Sequence, residues 1–293
     1  MNRDEKIAVI GGHSAVAQRL RSGPARGATA FVRRDPAAGE RLVADYRGIA
    51  ADDLRGFDAV INCAGATSGT VDELRRANVE LPLALAKACG DAGVRRLVHL
   101  SSFSTYGGAL GIHQDVPPAP ISAYGKTKLE GDEALLASAN KDRLDVIVAR
   151  FPAILEPARV VGKTANLVRL WCRLGAIPAP RGDVRRSMIS ATMASRILTK
   201  LARNGGRAIT LAADPQPFCY RQALSAISEG AGRSLGIVWL PQLAFDPLRL
   251  LAPSLRSSMF ADSLLDARSN AASDEPSDLY HALRDLAGRI ARR

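Results

Sequence analysis

The first half of the chain alternates short apolar runs with segments of helical periodicity, and this alternation limits the folds open to it. Strands that alternate with helices are typical of a parallel sheet covered by helices on both faces, and uninterrupted apolar strands indicate burial on both sides. The sequence therefore predicts an α/β fold with a doubly wound parallel sheet. The apolar runs are KIAVIGG, ATAFV, FDAVINCAG, RRLVHLSS and LDVIVARFP, with helices expected near 14–21, near 71–92 and from Tyr124.

The pattern weakens after Pro152. A helix near 164–174, a turn-rich segment GAIPAPRGDVRRS, a strand RAITLA, a helix near 220–231 and a strand-like GIVWLP follow in order. Residues 246–276 are poorly patterned. The final segment reads as an amphipathic helix that packs on the body of the protein or on a partner through four apolar residues spaced along one face. These are Leu279, Leu283, Leu286 and Ile290.

Composition restricts the partners of the chain. The net charge is +11, and residues 151–245 carry most of the excess, with 13 Lys and Arg against 4 Asp and Glu. The basic residues are scattered arginines without aromatic interleaving, which argues against nucleic acid and favours a small polyanion such as a nucleotide diphosphate. No apolar run is long enough for a membrane span and no signal peptide is evident, so we expect a cytoplasmic protein.

Cysteine spacing gives no sign of a metal or disulfide framework. Cys63, Cys89, Cys172 and Cys219 lie far apart, without C-x-x-C pairs or histidine clusters nearby. Buried free thiols and the absence of a metal site are therefore expected.

The stretch from Ser101 to Lys128 is the strongest candidate for chemistry. A spacing of four places Tyr124 and Lys128 on one face of a helix that begins after Pro120. An ammonium beside a phenol favours the phenolate, so we expect Lys128 to lower the pKa of Tyr124 for proton transfer. Taken alone, the same residues also suit a solvated helix start.

The turn after the first strand is a candidate phosphate loop. In GGHSAVAQRL the chain turns from a strand into a helix whose N-terminus would face a pyrophosphate. Against the pattern G-x-x-G-x-x-G, the three positions are Gly11, Ser14 and Ala17, so the second glycine is missing. An ordinary strand-to-helix turn remains the alternative.

The end of the second strand bears on cofactor choice. Arg33 and Arg34 stand where an NAD-binding protein usually has a carboxylate, and arginine there suits the 2′-phosphate of NADP. Asp35 follows directly, so NAD remains a possible cofactor. The alternative interpretation is that both arginines are solvated surface residues. The turn Asn62–Gly65 after the third strand has small residues that could lie against a nucleotide.

Together these segments resemble the extended short-chain dehydrogenases/reductases of the NAD-dependent epimerase/dehydratase group. The resemblance rests on an ordered series that covers about residues 6–155: VIGGHSAVA, VRRDP, DAVINCAG, NVELPLALAKACGDAGVRRLVHLSSFSTYG, SAYGKTKLEGDEAL and VARFPAI. It implies a Rossmann-type dinucleotide-binding domain over 1–152, rejoined by a strand near 207–212. A smaller substrate-binding subdomain and C-terminal helix would occupy 153–293, and a homodimer is expected by analogy.

The resemblance also implies site residues. Ser102, four positions before Tyr106, would be catalytic with Tyr124 as acid/base and Lys128 holding the cofactor ribose. Substrate contacts would come from Ser102, Ser104, Tyr124, Asn166 and Arg186. The cofactor would be bound by Gly11, His13, Ser14, Ala15, Val16, Arg33, Cys63, Ala64, Gly65, Tyr124, Lys128 and Phe151.

The best-matching members of that group act on UDP-sugars, particularly as 4-keto-6-deoxy-hexosamine reductases. The resemblance therefore implies an NADP(H)-dependent reductase of a nucleotide-linked 4-ketosugar. A UDP-sugar 4-epimerase with retained NAD is the first alternative. A catalytically silent member that only binds a nucleotide is the second, because the glycine loop is degenerate. ATMASRIL also lacks the acidic element usual at its position.

Overall fold

The computed structural model describes residues 5–139, 144–160, 163–181, 184–241, 244 and 264–292. The strands are β1 (Ile7–Ile10), β2 (Thr29–Val32), β3 (Glu40–Leu42), β4 (Ala59–Asn62), β5 (Arg96–Ser102), β6 (Gly111–Ile112), β7 (Asp145–Phe151), β8 (Ala153–Leu155), β9 (Ala176–Pro180), β10 (Arg185–Arg186), β11 (Met188–Ser190), β12 (Ile209–Leu211), β13 (Phe218–Cys219), β14 (Gly236–Leu240) and β15 (Leu264–Leu265). The helices are α1 (Ala15–Ser22), α2 (Ala51–Leu54), α3 (Val71–Arg75), α4 (Leu81–Ala92), α5 (Ala123–Ala139), α6 (Lys163–Leu174), α7 (Ala191–Asn204), α8 (Tyr220–Ala231) and α9 (Leu279–Ala291).

Seven strands form one sheet in the order β3-β2-β1-β4-β5-β7-β12. Every neighbouring pair is parallel, and Val9 of β1 stands between Ala30 of β2 and Ile61 of β4. The predicted α/β fold with a Rossmann-type sheet is thus confirmed. Because strand order reverses beside β1, the carboxyl ends of β1 and β4 flank the crevice where such sheets bind ligands.

The chain divides into two units. The first contains the described residues of Met1–Gly107, Gln114–Pro152 and Ala191–Ala212, and the second those of Gly108–His113, Ala153–Ser190 and Ala213–Arg293. The sequence division at residue 152 had assigned α7 to the second part. The structure instead groups α7 with the first unit, where it packs on α1, β4 and β5 before the chain enters β12. Similarly, residues 108–113 join the second unit because β6 pairs with β15.

The helix predicted near 71–92 is interrupted. A π-helical turn, Arg76–Glu80, separates α3 from α4. Pro82 has no N–H to donate and its ring disfavours a regular helix just before it, which accounts for a break at this place. The widened turn holds Asn78, whose side-chain amide donates to the carbonyl of Ala66 and to Thr127 Oγ1.

The second unit has its own core around α6, α8 and α9. Trp171, Tyr220 and Phe218 pack edge to face within it. Helix α9 packs mainly on α8, and its four predicted contact residues are all buried. The expected amphipathic helix therefore packs within its own unit.

One segment differs from its turn-rich appearance. Residues of GAIPAP form β9, which pairs in parallel with β14. Proline is tolerated here because β9 has a partner on one side only, so a missing N–H costs no ladder bond on the open side. Most of the poorly patterned segment 246–276 lies outside the described residues.

The four cysteines are free thiols, and Cys63 and Cys89 are buried. Among the helices that the structure describes, none has the length and apolar character needed to cross a bilayer.

Candidate active site

Ser102 and Tyr124 meet at the carboxyl edge of the sheet. Ser102 ends β5, Tyr124 lies in the first turn of α5, and their hydroxyls are hydrogen-bonded. Ser102 Oγ also bonds Ser104 Oγ and accepts the Ser104 N–H, both at 3.1 Å. The structure thus brings together three residues that the sequence selected. Ser101 Oγ, in contrast, donates to Asp132 Oδ2 at 2.8 Å, away from this group.

Gly125 permits the close approach of α5 to the turn after β5. A Cβ at Gly125 would stand 2.4 Å from the carbonyl oxygen of Ser104, which no side chain tolerates. The first turn of α5 is anchored further by Ser122, whose Oγ accepts the N–H of Gly125 at 3.0 Å. Backbone proximity, enabled by a missing side chain, is therefore what places Tyr124 beside Ser102.

The pKa of Tyr124 is shifted in the opposite direction to the one expected from the Tyr–Lys spacing. Burial raises the pKa of the phenol, the hydrogen bond with Ser102 lowers it in part, and the charge of Asp132 raises it further. The spacing argument was wrong on this point because it counted one neighbouring charge and omitted desolvation. Tyr124 is thus held as a phenol.

Lys128 lies one turn further along α5 and is almost fully buried. Its Nζ donates to the carbonyl oxygen of Leu100 at 2.9 Å and stands 2.9 Å from His99 Nε2. Burial lowers the pKa of Lys128 to about 8, the charge of Asp132 counteracts this, and the charge of Arg150 lowers it further. The Lys128 ammonium therefore loses its proton at a lower pH than that of an exposed lysine.

A buried ion pair under α5 was not predicted from the sequence. Asp132 Oδ2 accepts from Arg150 Nε at 2.9 Å, and Arg150 Nη1 donates to the Tyr106 hydroxyl at 3.0 Å. Both charged side chains are at most 3% exposed. The available signals were an arginine that ends the apolar run VIVAR and an acid four residues after Lys128 on the same helix face.

The loop between β1 and α1 fits a dinucleotide pyrophosphate despite its missing glycine. Ser14 has ordinary extended backbone angles and caps α1, its Oγ accepting the Ala17 N–H at 3.2 Å. The position therefore needs no glycine. Gly11 has a positive φ of 82°, and a Cβ there would stand 2.8 Å from the Ala64 nitrogen, so glycine is required where the two loops meet. The first turn of α1 carries no acidic residue, which suits an anion.

The neighbouring loop after β4 lies against this turn. Cys63 is hydrogen-bonded with Ser14, and burial raises the pKa of its thiol to about 12, so it stays protonated. Ala64 donates its N–H to Asn62 Oδ1 at 3.0 Å. A Cβ on Gly65 would stand 3.1 Å from Asn78 Oδ1, a tight but tolerable distance. These small residues form a narrow wall beside the α1 terminus.

The remaining predicted cofactor residues differ in exposure. His13 is exposed, with Nε2 3.8 Å from Glu40 Oε2, and Ala15 is half-buried. Val16 and Phe151 are 4% and 1% exposed, so neither side chain offers appreciable surface to a ligand. Their placement is that of core residues under the site.

Arg33 follows β2 directly and is exposed. Its guanidinium lies over the ring of Tyr46, 5.3 Å from the ring centroid. This stacking restrains the side chain next to the end of β2, whereas Arg34 has no such ring contact among the described residues. Asp35 adopts a left-handed backbone with φ of 42°, which turns the chain away from the strand.

Asn166 and Arg186, the predicted substrate residues of the second half, lie in the second unit. Asn166 Oδ1 accepts from Arg169 Nη1 at 2.8 Å on α6. Arg186 lies on β10, and its buried Nε and Nη1 find no hydrogen-bond partner among the described residues. Burial lowers the pKa of Arg186, and Tyr220 counteracts this. A guanidinium in this condition is suited to an anion.

Comparison with known proteins gives the family. The model of the NAD dependent epimerase/dehydratase family matches residues 15–173, more than half of the 293 residues. The chain belongs to this family. The sequence resemblance and the enzyme class, an NAD(P)-dependent enzyme of the short-chain dehydrogenase/reductase type, are thereby confirmed.

Two curated relatives illustrate the range of activities. A dTDP-6-deoxy-L-talose 4-dehydrogenase (NAD(P)(+)) of Kitasatospora kifunensis is 34% identical over 137 residues, covering 39% of this chain and 43% of that protein. A UDP-glucose 4-epimerase of Vibrio cholerae is 29% identical over 151 residues, covering 47% and 45%. The chain thus spans less than half the length of these relatives.

Solved structures share the fold across the chain. MoeE5 in complex with UDP-glucose and NAD gives a TM-score of 0.76 at 23% identity, covering 98% of this chain and 99% of that chain. RMD from Pseudomonas aeruginosa complexed with NADPH gives 0.72 at 19% identity, covering 98% and 100%. At such identities the likeness is one of fold.

Proposed function

We propose that this protein is an NADPH-dependent reductase of a nucleotide-linked 4-ketosugar, of the UDP-sugar type. Tyr124 is the observation that carries the proposal, because a phenol with a raised pKa beside Ser102 is a proton donor at neutral pH. Reduction of a ketone requires a donor, whereas removal of hydride from a sugar alcohol requires a base at the same place.

The chain's own residues have distinct roles in this reaction. Bound NADPH supplies the hydride. Ser102 and Tyr124 bind the carbonyl oxygen of the sugar, and Tyr124 delivers the proton to it. Lys128 would hold the cofactor ribose, and the N-terminus of α1 with Ser14 would hold the pyrophosphate. The protein therefore supplies position and one proton.

The choice of NADPH rests on Arg33. Its guanidinium is exposed beside the end of β2 and restrained on Tyr46, which suits a 2′-phosphate. Replacing Arg33 by alanine is expected to weaken NADPH binding about 10-fold to 100-fold and to leave NADH binding unchanged, since charge-assisted bonds contribute about 1.5–3 kcal/mol. Arg34→Ala is the matched control. Equal losses for both cofactors would refute this role.

The substrate end of the proposal is supported by charge in the second unit. Among the residues that the structure describes, Arg186 has buried donor atoms without a hydrogen-bond partner, and Asn166 lies on α6 in the same unit. A cavity of about 990 Å³ is lined there by Arg181, Arg185 and Trp239, among others. Arginines with an aromatic ring suit a nucleoside diphosphate.

A 4-epimerase with retained NAD is the second candidate, supported by the similarity to the Vibrio cholerae enzyme. The decisive experiment incubates the purified protein with NADPH and UDP-linked 4-ketosugars and follows nicotinamide absorbance. Stoichiometric oxidation of NADPH supports the reductase. Interconversion of UDP-sugars without net oxidation would establish the epimerase instead. If neither NADPH nor NADH raises the thermal stability of the protein, both enzyme hypotheses lose their support, and the hypothesis of a catalytically silent nucleotide-binding member remains.

Two neighbouring serines provide a matched pair for the catalytic assignment. Tyr124→Phe and Ser102→Ala are expected to lower kcat on the order of 10²–10⁴-fold, as for loss of a general acid or its partner. Ser101→Ala removes the same atom one residue away but affects only the bond with Asp132. Full activity of Tyr124→Phe, or equal losses for both serine variants, would overturn the assignment.

A further inference from the structure

A buried chain of three polar side chains lies beneath the candidate site. Asn62 ends β4, His99 lies on β5 and Lys128 lies on α5; the first two are fully buried and the third is 3% exposed. Asn62 Nδ2 stands 3.0 Å from His99 Nδ1, and Lys128 Nζ stands 2.9 Å from His99 Nε2. Both ring nitrogens of His99 are thus in hydrogen-bond contact with nitrogen atoms.

Hydrogen-bond direction can be followed along this chain. The backbone N–H of Ala64 donates to Asn62 Oδ1 at 3.0 Å, which fixes the amide orientation. Asn62 Nδ2 is then a donor towards His99 Nδ1, which must accept. A neutral imidazole that accepts at Nδ1 carries its proton on Nε2.

The consequence falls on Lys128. His99 Nε2–H points at Lys128 Nζ, and an ammonium has three donors and no acceptor. With an ammonium, two donors would face each other at 2.9 Å inside the protein. A neutral amine accepts from His99 and still donates to the carbonyl of Leu100, so each contact is satisfied.

The charges around Lys128 lead to the same state. Asp132 on α5 and Arg150 on β7 are bonded to each other, and Tyr124 on α5 is held as a phenol. The anion that acts on Lys128 is Asp132, which is already bonded to Arg150, so an ammonium on Lys128 would be a buried positive charge that is compensated only in part. Burial, with a smaller contribution from the charge of Arg150 and against that of Asp132, lowers the pKa of Lys128 to about 8, and a hydrogen bond that only the amine accepts acts in the same direction. Burial also lowers the pKa of His99 well below its ordinary value.

We propose that His99 is a positioning residue that holds Lys128 as a neutral amine in the cofactor-free protein, with Asn62 selecting the tautomer. A neutral Lys128 does not stabilise a phenolate, so Tyr124 remains a phenol and is ready to donate its proton. This consequence rests on the proposed reductase function. The protonation state itself does not, because it is a property of the protein without ligands.

The test is nitrogen-15 NMR of the full-length, labelled protein without cofactor. His99 is buried whereas the three other histidines are exposed, and its signals are assigned by their loss in His99→Gln and should not change from about pH 6 to about pH 8. We expect a proton on Nε2 and none on Nδ1. A proton on Nδ1, or an imidazolium, would refute the proposal.

Lys128 Nζ is followed in the same samples, assigned by its loss in Lys128→Met. We expect the neutral-amine signal at about pH 7.5, and an ammonium there would overturn the proposal. Asn62→Asp reverses the direction of the chain, since a carboxylate accepts from both Ala64 and His99 Nδ1–H. It should raise the Lys128 midpoint by about one pH unit or more. An unchanged midpoint in a folded Asn62→Asp protein would refute the role of Asn62.

The NMR measurements distinguish a failure of this inference from a failure of the proposed function. A protein that shows the expected tautomer but oxidises no NADPH keeps this inference and loses the reductase. A protein that reduces a 4-ketosugar while Lys128 is an ammonium keeps the reductase and loses the inference. Where the protein reduces a 4-ketosugar with NADPH, His99→Gln should also move the acid limb of the pH profile of kcat/KM. The reason is that the amide of the new glutamine can rotate and accept a hydrogen bond from a Lys128 ammonium.

Discussion

Replacing Arg150 by methionine is expected to lower the free energy of unfolding by about 3–5 kcal/mol, the range for removing one partner of a buried ion pair. Asp132 Oδ2 would lose the Arg150 Nε donor at 2.9 Å and keep only Ser101 Oγ at 2.8 Å. Asp132 Oδ1 already lacks a partner among the described residues, so a buried carboxylate would keep a single hydrogen bond. Methionine fills a similar volume, so the loss reports the charge of Arg150 and its hydrogen bonds, including the one to the Tyr106 hydroxyl, rather than a cavity.

A surface pair provides the control. Arg55 and Asp52 form a 2.6 Å ion pair with side chains 70% and 86% exposed. Arg55→Met should therefore cost no more than about 1 kcal/mol. The free energy of unfolding of both variants is measured by urea titration, and the two losses are compared once the m-values agree with that of the unchanged protein. A loss for Arg150→Met no larger than that for Arg55→Met would refute the view that this pair organises the interior beneath the site.

The pH dependence of the Arg150→Met deficit has a defined sign. Burial raises the pKa of Asp132 above its ordinary 3.8, even with Lys128 and Arg150 opposing it, and loss of Arg150 raises it further. Above pH 3.8 the folded variant then binds more protons than the unfolded chain, so its stability falls as the pH rises. The deficit should be smaller at about pH 5 than at about pH 8. A deficit that shrinks with rising pH would contradict the account.

Substitutions at two further positions test how the site is built. Gly131→Ala should lower the free energy of unfolding by about 1–3 kcal/mol, because the new Cβ would stand 1.9 Å from the carbonyl oxygen of Asn78. This cost outweighs the preference of an isolated helix for alanine, which is about 1 kcal/mol. A more stable Gly131→Ala protein would refute the close packing. Ser14→Ala should cost about 0.5–2 kcal/mol by removing the cap of Ala17, whereas Ser14→Asp should keep the cap but weaken dinucleotide binding through its charge. Thermal unfolding with and without NADPH measures both the stability and the cofactor binding of each variant. Equal NADPH affinity of Ser14→Ala and Ser14→Asp would contradict the expected effect of the charge.

The position of Ser14 explains how a degenerate glycine loop coexists with well-formed surroundings. The second position of the glycine pattern is occupied by a residue with extended backbone angles, and its side chain turns back onto the helix. Of the three positions of the glycine pattern, glycine is required at Gly11, where the chain has a positive φ and meets Ala64. The mismatch in the pattern is therefore no obstacle to the turn itself.

The sequence alone determined the architecture of the first half, because buried parallel strands and the helices between them are written as local apolar patterns. It also placed Tyr124 and Lys128 on one helix, since this follows from a short spacing, and the family resemblance carried by local motifs singled out Ser102. Those features depend on neighbours a few residues apart. Local patterning carries them without knowledge of the fold.

Only the tertiary structure decided the electrostatics of the site. His99, Asp132 and Arg150 come from two strands and a helix, and nothing in any one of these segments shows which polar residues of the other two it will meet. Burial of Tyr124, together with the charge of Asp132, reverses the expected direction of its pKa, and burial of Lys128 lowers the pKa of that amine. Desolvation and pairing are properties of an interior, so a pattern along the chain does not reveal them. The charge state of the catalytic stretch therefore belongs to the fold.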